Sequence, residues 1–206
     1  MTNRVSIRKR GVSPLFFIQP ATPFDVRIIT NQMEKRNFSS GIVYGVAARC
    51  KWGFPRVIAC KPIYRLKPFP TTFWLTCPYL VKKCGELESH GGVRSLETFM
   101  LSRKVAWKDY NLHLRLLRLS LLSSSEKIFL RRYMKPKWRS LRRNLMGGIR
   151  EEETPTMKCL HLQVGAWLAM DSHPGQEWLG EHLKCLDCDD PSRFSCAKCS
   201  RNGGDI

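Results

Sequence analysis

From Gly41 the texture of this 206-residue chain changes to short β-branched and aromatic runs that reach residue 76, and the stretches after them repeat at helical spacing. Strands first and helices after predict an α+β fold. Residues 42–49 and 55–60 read as two strands joined by Trp52-Gly53-Phe54, a hairpin or bulged turn. Residues 69–76 read as a third strand, aromatic and Thr-rich, with Cys77 at its end. Pro78 suits the first position of a helix, and Gly91-Gly92 is a stop signal. From residue 94 to about 134, Leu96, Phe99, Met100, Trp107, Tyr110, Leu114, Leu117 and Leu121 recur at mostly three- and four-residue steps. That is a long helix or a helical hairpin, with a break and re-cap at Ser123-Ser124-Ser125-Glu126. After a loop opened by Gly147-Gly148, a last helix begins near Met157 or Lys158, with Leu160, Val164, Trp167 and Leu168 as its buried stripe. The expected architecture is a small sheet of about three short strands packed against a mainly helical C-terminal half.

The length suits one domain with tails. Residues 1–40 read as an irregular basic extension: Pro14, Pro20 and Pro23 break it, and Arg4, Arg8, Lys9 and Arg10 charge it. Met33 is a candidate start, which would leave the first 32 residues outside the native chain; the competing expectation is a basic targeting peptide. Residues 41–183 form the domain and 184–206 a Cys-rich tail. Leu15-Phe16-Phe17-Ile18 is too short for a secretory core, and no run of eighteen apolar residues exists. Nine cysteines are an odd number, so a complete set of disulfides within one chain is impossible. Free or metal-bound thiols in a reducing cytoplasm are the expectation.

The formal net charge is +18, from 35 Lys and Arg against 17 Asp and Glu, which favours polyanions such as RNA. The charge is concentrated: residues 103–150 hold fourteen Lys and Arg, with Asp109 and Glu126 as their only acids. Arg131, Arg132, Lys135, Lys137, Arg139, Arg142 and Arg143 alternate with Tyr133 and Trp138. Cations that clamp phosphates beside rings that stack on bases are the equipment of single-stranded RNA binding. A solvated helix face is the plain alternative, but the acids that usually interleave such a face are missing.

The strongest metal spacing lies in the tail, where Cys185-x-x-Cys188 and Cys196-x-x-Cys199 are separated by seven residues. Two such turns present four thiolates to one tetrahedral Zn ion in a tight knuckle, or alternatively hold an Fe–S cluster. Asp187, Asp189 and Asp190 argue against direct nucleic-acid contact by this knuckle. A second, dispersed candidate set is Cys50, Cys77, Cys159 and His161. Cys159 and His161 are two residues apart, which on a helix turns them about 200° from one another. They can share an ion only if the chain is still extended at Cys159. If Cys159 instead opens the helix, its thiolate gains from the free amides, and it becomes a candidate reactive thiol for an enzyme or redox factor. Simple packing is the alternative for Cys50, Cys60, Cys77 and Cys84, which would leave a structural adaptor.

Other chemistries lack their motifs. Gly147-Gly148 is not followed by Lys-Ser/Thr, and neither G-x-G-x-x-G nor G-x-S-x-G occurs. His90, His113, His173 and His182 are isolated, and Glu86, Glu88 and Glu97 form no evident acid pair.

One succession of motifs runs through the domain. It comprises Arg49-Cys50, Gly53-Phe54-Pro55-Arg56-Val57-Ile58, the run from Pro68 to Pro78, Leu87-Glu88 with Gly92, Gly147-Gly148-Ile149, and Lys158-Cys159-Leu160-His161. In this order, over roughly residues 41–183, it resembles the bacterial domain-of-unknown-function 501 family. The resemblance implies Cys or His at the position of Cys77, an exchange natural for a ligand. It also implies further histidines after the position of His161, where this chain has Gln163 and Ala166. It implies no particular reaction. The expectation is a cytoplasmic, metal-associated protein (Zn, or alternatively Fe–S) that contacts RNA or another polyanion.

Overall fold

The computed structural model describes residues 17–34, 36–144, 146–149 and 154–196, and its architecture is α+β. Strands β1 (Val43–Arg49) and β2 (Pro55–Cys60) form an antiparallel hairpin. Its turn is closed by the Cys50 amide on the Phe54 carbonyl and the Gly53 amide on the Cys50 carbonyl, with Gly53 at φ +81°. A two-stranded ribbon follows, β3 (Ile63–Tyr64) with β4 (Lys67–Pro68), which the sequence patterns do not signal. Strand β5 (Phe73–Leu75) pairs with the free side of β2, so the sheet order is β1-β2-β5.

Every residue of β2 is buried. Its continuous apolar run exists because both faces of the sheet are covered. Val57 and Ala59 face the main core with Phe73, Leu75 and the C-terminal helices. Ile58 and Cys60 face a second core with Ile29, Met33 and Val46.

The element covering that second face lies where an irregular extension is expected. Residues 23–32 form helix α1 (Pro23–Gln32), and Ile28, Ile29 and Met33 are fully buried. The prolines are misleading because Pro23 occupies the first helical turn, where its missing N–H costs nothing. Thr22 and Asp25 make a reciprocal capping box, and Asp25 also takes both terminal nitrogens of Arg49 at 2.7 and 2.9 Å. The Arg49 guanidinium holds the Asp25 carboxyl down at about 2. Upstream, Gln19 pairs with Val46 at the edge of β1. Gly45 permits this approach, since a Cβ there would lie 2.5 Å from the Gln19 carbonyl.

The helical half is a chain of shorter pieces: α2 (Pro78–Ser89), α3 (Gly92–Met100), α4 (Lys104–Ser120), α5 (Ser124–Tyr133) and α6 (Lys135–Arg143). Pro78 opens α2, Gly91 ends it in the left-handed region, and the Ser123–Glu126 capping box starts α5. Leu122, Leu130 and Leu141 form a small separate core under α5 and α6. The last two helices are α7 (Leu160–Met170) and α8 (Gln176–Leu183).

Helix α7 begins at Leu160, two or three residues later than expected, and Cys159 is extended at φ −167°. It is buried on most sides rather than along one stripe, because it lies directly on β5; Trp167 and Leu168 are only half-buried. A Cβ on Gly165 would stand 3.3 Å from the Leu75 amide nitrogen. His173, isolated in sequence, is a core residue whose Nε2 donates to Gln163 Oε1, while its Nδ1 accepts the Gly175 amide. Burial pushes its pKa down to about 3. No described helix is long and apolar enough to cross a membrane.

Candidate functional site

The two halves of the dispersed set separate. Cys159 and His161 gather with Glu88 of α2, and one ligand atom from each lies within 4.8 Å of the others. The extended backbone at Cys159 makes this possible. Glu88 is the residue that sequence spacing misses, being 72 positions away from the helix it serves. Its Oε1 accepts the Leu160 amide at 2.6 Å, the His161 amide at 3.4 Å and the His161 ring Nδ1 at 2.9 Å. A carboxylate on the free amides of a helix N-terminus is a cap, favoured by the helix dipole. Glu97 of α3 holds the lead-in three residues earlier, accepting the Met157 amide at 2.7 Å.

His161 completes the clamp with Nε2 3.1 Å from the Val81 carbonyl. That carbonyl only accepts, so Nε2 donates to it, and Nδ1 is the ring nitrogen that faces the Glu88 carboxylate. The Cys159 thiol is not activated as the helix-start argument expects. Burial pushes its pKa up, and Glu88 adds to the rise against the favourable Leu162 and His161 amides.

Cys50 and Cys77 meet different partners. Together with Cys188 and Cys196 they line one cavity of about 10 Å3, walled also by Gln32, Phe54 and Pro55. Cys50 stands at the β1–β2 turn, Cys77 caps α2, and Cys188 and Cys196 belong to the segment after α8. A 3-10 turn at Pro191–Arg193, capped by Asp190, folds that segment back. Burial raises the pKa of Cys77, partly offset by the Leu80 and Tyr79 amides at the start of α2; Cys50 raises it further and Arg56 lowers it. Cys188 is raised by burial and then by Cys50. Cys196 is pushed up to about 11 by burial, then by Cys77 and Cys188. These four thiols therefore lie within electrostatic reach of one another.

The segment is held against the domain by polar contacts. Asp187 pairs with Arg56 and accepts the Lys51 amide at 2.9 Å, and the Trp52 indole N–H donates to the Cys188 carbonyl at 3.0 Å. Lys83 Nζ reaches the Leu183 and Cys185 carbonyls at 2.7 and 3.0 Å, and Phe194 meets the Tyr79 ring edge-on. The Cys185 residue is exposed, and it does not line the cavity; Cys199 lies outside the described residues. Cys60 and Cys84 are core thiols, and burial pushes Cys84 up to about 12.

The basic residues occupy α5 and α6. Arg131, Arg132, Tyr133, Lys135, Arg139, Arg142 and Arg143 are exposed, while Lys137 and Trp138 are half-buried. Arg131 and Arg142 stand 5.0 and 5.9 Å from the Trp138 ring centre, and Arg132 lies 5.6 Å from that of Tyr133. Lys137 is committed inward, donating to the Leu66 carbonyl at 2.7 Å. Buried Arg118 of α4 reaches the Leu141 and Asn144 carbonyls at the end of α6, so it is a structural cation.

A hairpin, a helix-capping cysteine and a central helix pinned by two glutamates define a small α+β domain rich in unpaired thiols. A model of the family described as protein of unknown function DUF501 matches residues 46–183, and the chain belongs to this family. No curated protein and no solved structure matches it. The matched stretch contains Cys50, Cys77, Glu88, Cys159 and His161, whereas Cys188 and Cys196 lie beyond its end.

Proposed function

We propose that this protein is a metal-associated protein of a reducing cytoplasm, with Zn held by cysteine thiolates, that contacts RNA or another polyanion through its basic helices. The observation that carries the metal reading is the gathering of thiols from remote parts of the chain around one cavity. Buried, mutually repelling thiols are costly to ionise alone and are relieved by a cation. Anaerobically purified full-length protein should carry stoichiometric zinc; iron with labile sulfide would favour the cluster alternative, and neither metal would contradict the reading.

The polyanion reading is supported by the arginines set against Trp138 and Tyr133 on exposed α5 and α6. Binding of a single-stranded RNA should weaken steeply with salt as counterions are released and recaptured. A flat salt response would contradict it. A thiol-dependent enzyme is the weaker reading, since burial suppresses the thiolate form of Cys159.

A further inference from the structure

The geometry points to a single tetrathiolate zinc site made of Cys50, Cys77, Cys188 and Cys196, which clasps the segment after α8 onto the domain that the family model matches. This rests on the metal reading above and names its ligands. It crosses the two sets that sequence spacing suggests, taking two thiols from the domain and two from the C-terminal segment.

Three observations carry it. First, the four cysteines line one cavity although they come from three places in the chain. At about 10 Å3 the cavity holds roughly one water-sized particle, the scale of a single ion.

Second, the surroundings suit the charge of the complex. Zn with four thiolates carries two negative charges once each thiol has released its proton to solvent. Two cations stand beside the group: Arg56, whose carbonyl accepts the Cys77 amide at 3.2 Å, and Lys51, which follows Cys50 and donates its amide to Asp187.

Third, the segment is already registered. Asp187 and the Cys188 carbonyl are bonded to Lys51 and Trp52, the residues next to Cys50. The four sulfurs are not drawn together as closely as the Glu88 group. A tetrathiolate needs sulfurs ~3.8 Å apart from Zn–S bonds of ~2.3 Å. Binding therefore closes side-chain rotamers and the Pro191–Arg193 turn around the ion.

The test uses the full-length protein, prepared anaerobically and loaded with Zn or with Co as a spectroscopic stand-in. Wild type should bind about one ion, with the intense sulfur-to-cobalt charge transfer and red-region bands of a four-sulfur site. Cys50→Ser, Cys77→Ser, Cys188→Ser and Cys196→Ser should each weaken binding by at least about a hundredfold, as loss of a ligand does. Cys159→Ser, Cys185→Ser and Cys199→Ser should leave it unchanged. Spectra of wild-type protein keep the test valid if a variant misfolds. Loss on Cys185→Ser and Cys199→Ser with retention on Cys50→Ser and Cys77→Ser would overturn the assignment in favour of a tail knuckle while preserving the metal reading. Loss on Cys159→Ser alone would overturn it in favour of the Glu88 group. No bound metal in wild type, with disulfides among the four cysteines by mass spectrometry, would overturn both the assignment and the metal reading.

Discussion

Two clusters in this protein carry metal-competent side chains, and they differ in what else those side chains are doing. In the Glu88–Cys159–His161 group the atoms are close, within 4.8 Å, yet the carboxylate caps α7 and the imidazole bridges Glu88 and the Val81 carbonyl. In the cavity formed by Cys50, Cys77, Cys188 and Cys196 the sulfurs are less tightly drawn, but they converge from separate segments with no ring or carboxylate clamp to explain them. Proximity alone would choose the first cluster. What the side chains already do separates the two: the carboxylate and imidazole of the first hold the start of α7, whereas the second brings four soft sulfur ligands to one cavity.

The largest effect expected from this contrast is on the metal side. Chelating the ion should remove about 4 kcal/mol of apparent stability relative to a thousandfold excess of free zinc over Kd, read by thermal or denaturant unfolding. It should also open residues 184–196 to proteolysis while α7 stays protected in hydrogen exchange. Protection lost in α7 first would break the distinction between the clusters.

Next, Glu88→Ala should destabilise the fold by about 2–3 kcal/mol through the lost cap and the freed imidazole, with zinc content unchanged. A loss of zinc at unchanged stability would reverse the roles of the two groups. A third region is independent of both. Arg131→Gln with Arg142→Gln should lower the slope of log K for RNA against log salt by about 1–2 and leave metal content untouched. The smallest effect belongs to the segment's anchor: Asp187→Asn should cost about 1 kcal/mol and loosen zinc by a few-fold, because it weakens the pairing with Arg56 but removes no ligand.

The strands and caps were readable because their causes are local. β2 coincides with a β-branched run, Pro78 marks the first residue of α2, and Ser123 with Glu126 restarts the chain as α5. Helix α1 was hidden because Pro20 and Pro23 are breakers in one context and helix starters in another; Thr22 and Asp25, three residues apart, were the available signal. The start of α7 was displaced because its cap comes from Glu88 in another helix, which no local pattern encodes.

The thiols were visible, but their grouping was not. Spacing favours neighbours, so it groups Cys185, Cys188, Cys196 and Cys199 with one another, and the motif Lys158–His161 draws Cys159 toward Cys50 and Cys77. What sorts them is the docking of the C-terminal segment, through Asp187 on Arg56 and the Cys188 carbonyl on Trp52. The one hint in sequence is that Asp187 sits between Cys185 and Cys188, an acid placed to meet the Arg56 that follows Pro55.

X-ray absorption at the zinc edge on full-length protein tests the central claim most directly, because it reports the donor atoms. Zinc held by Cys50, Cys77, Cys188 and Cys196 should give a single shell of about four sulfurs at ~2.3 Å with no lighter neighbour. A shell containing nitrogen or oxygen at ~2.0–2.2 Å beside one sulfur would place the ion with Glu88, Cys159 and His161 and contradict it.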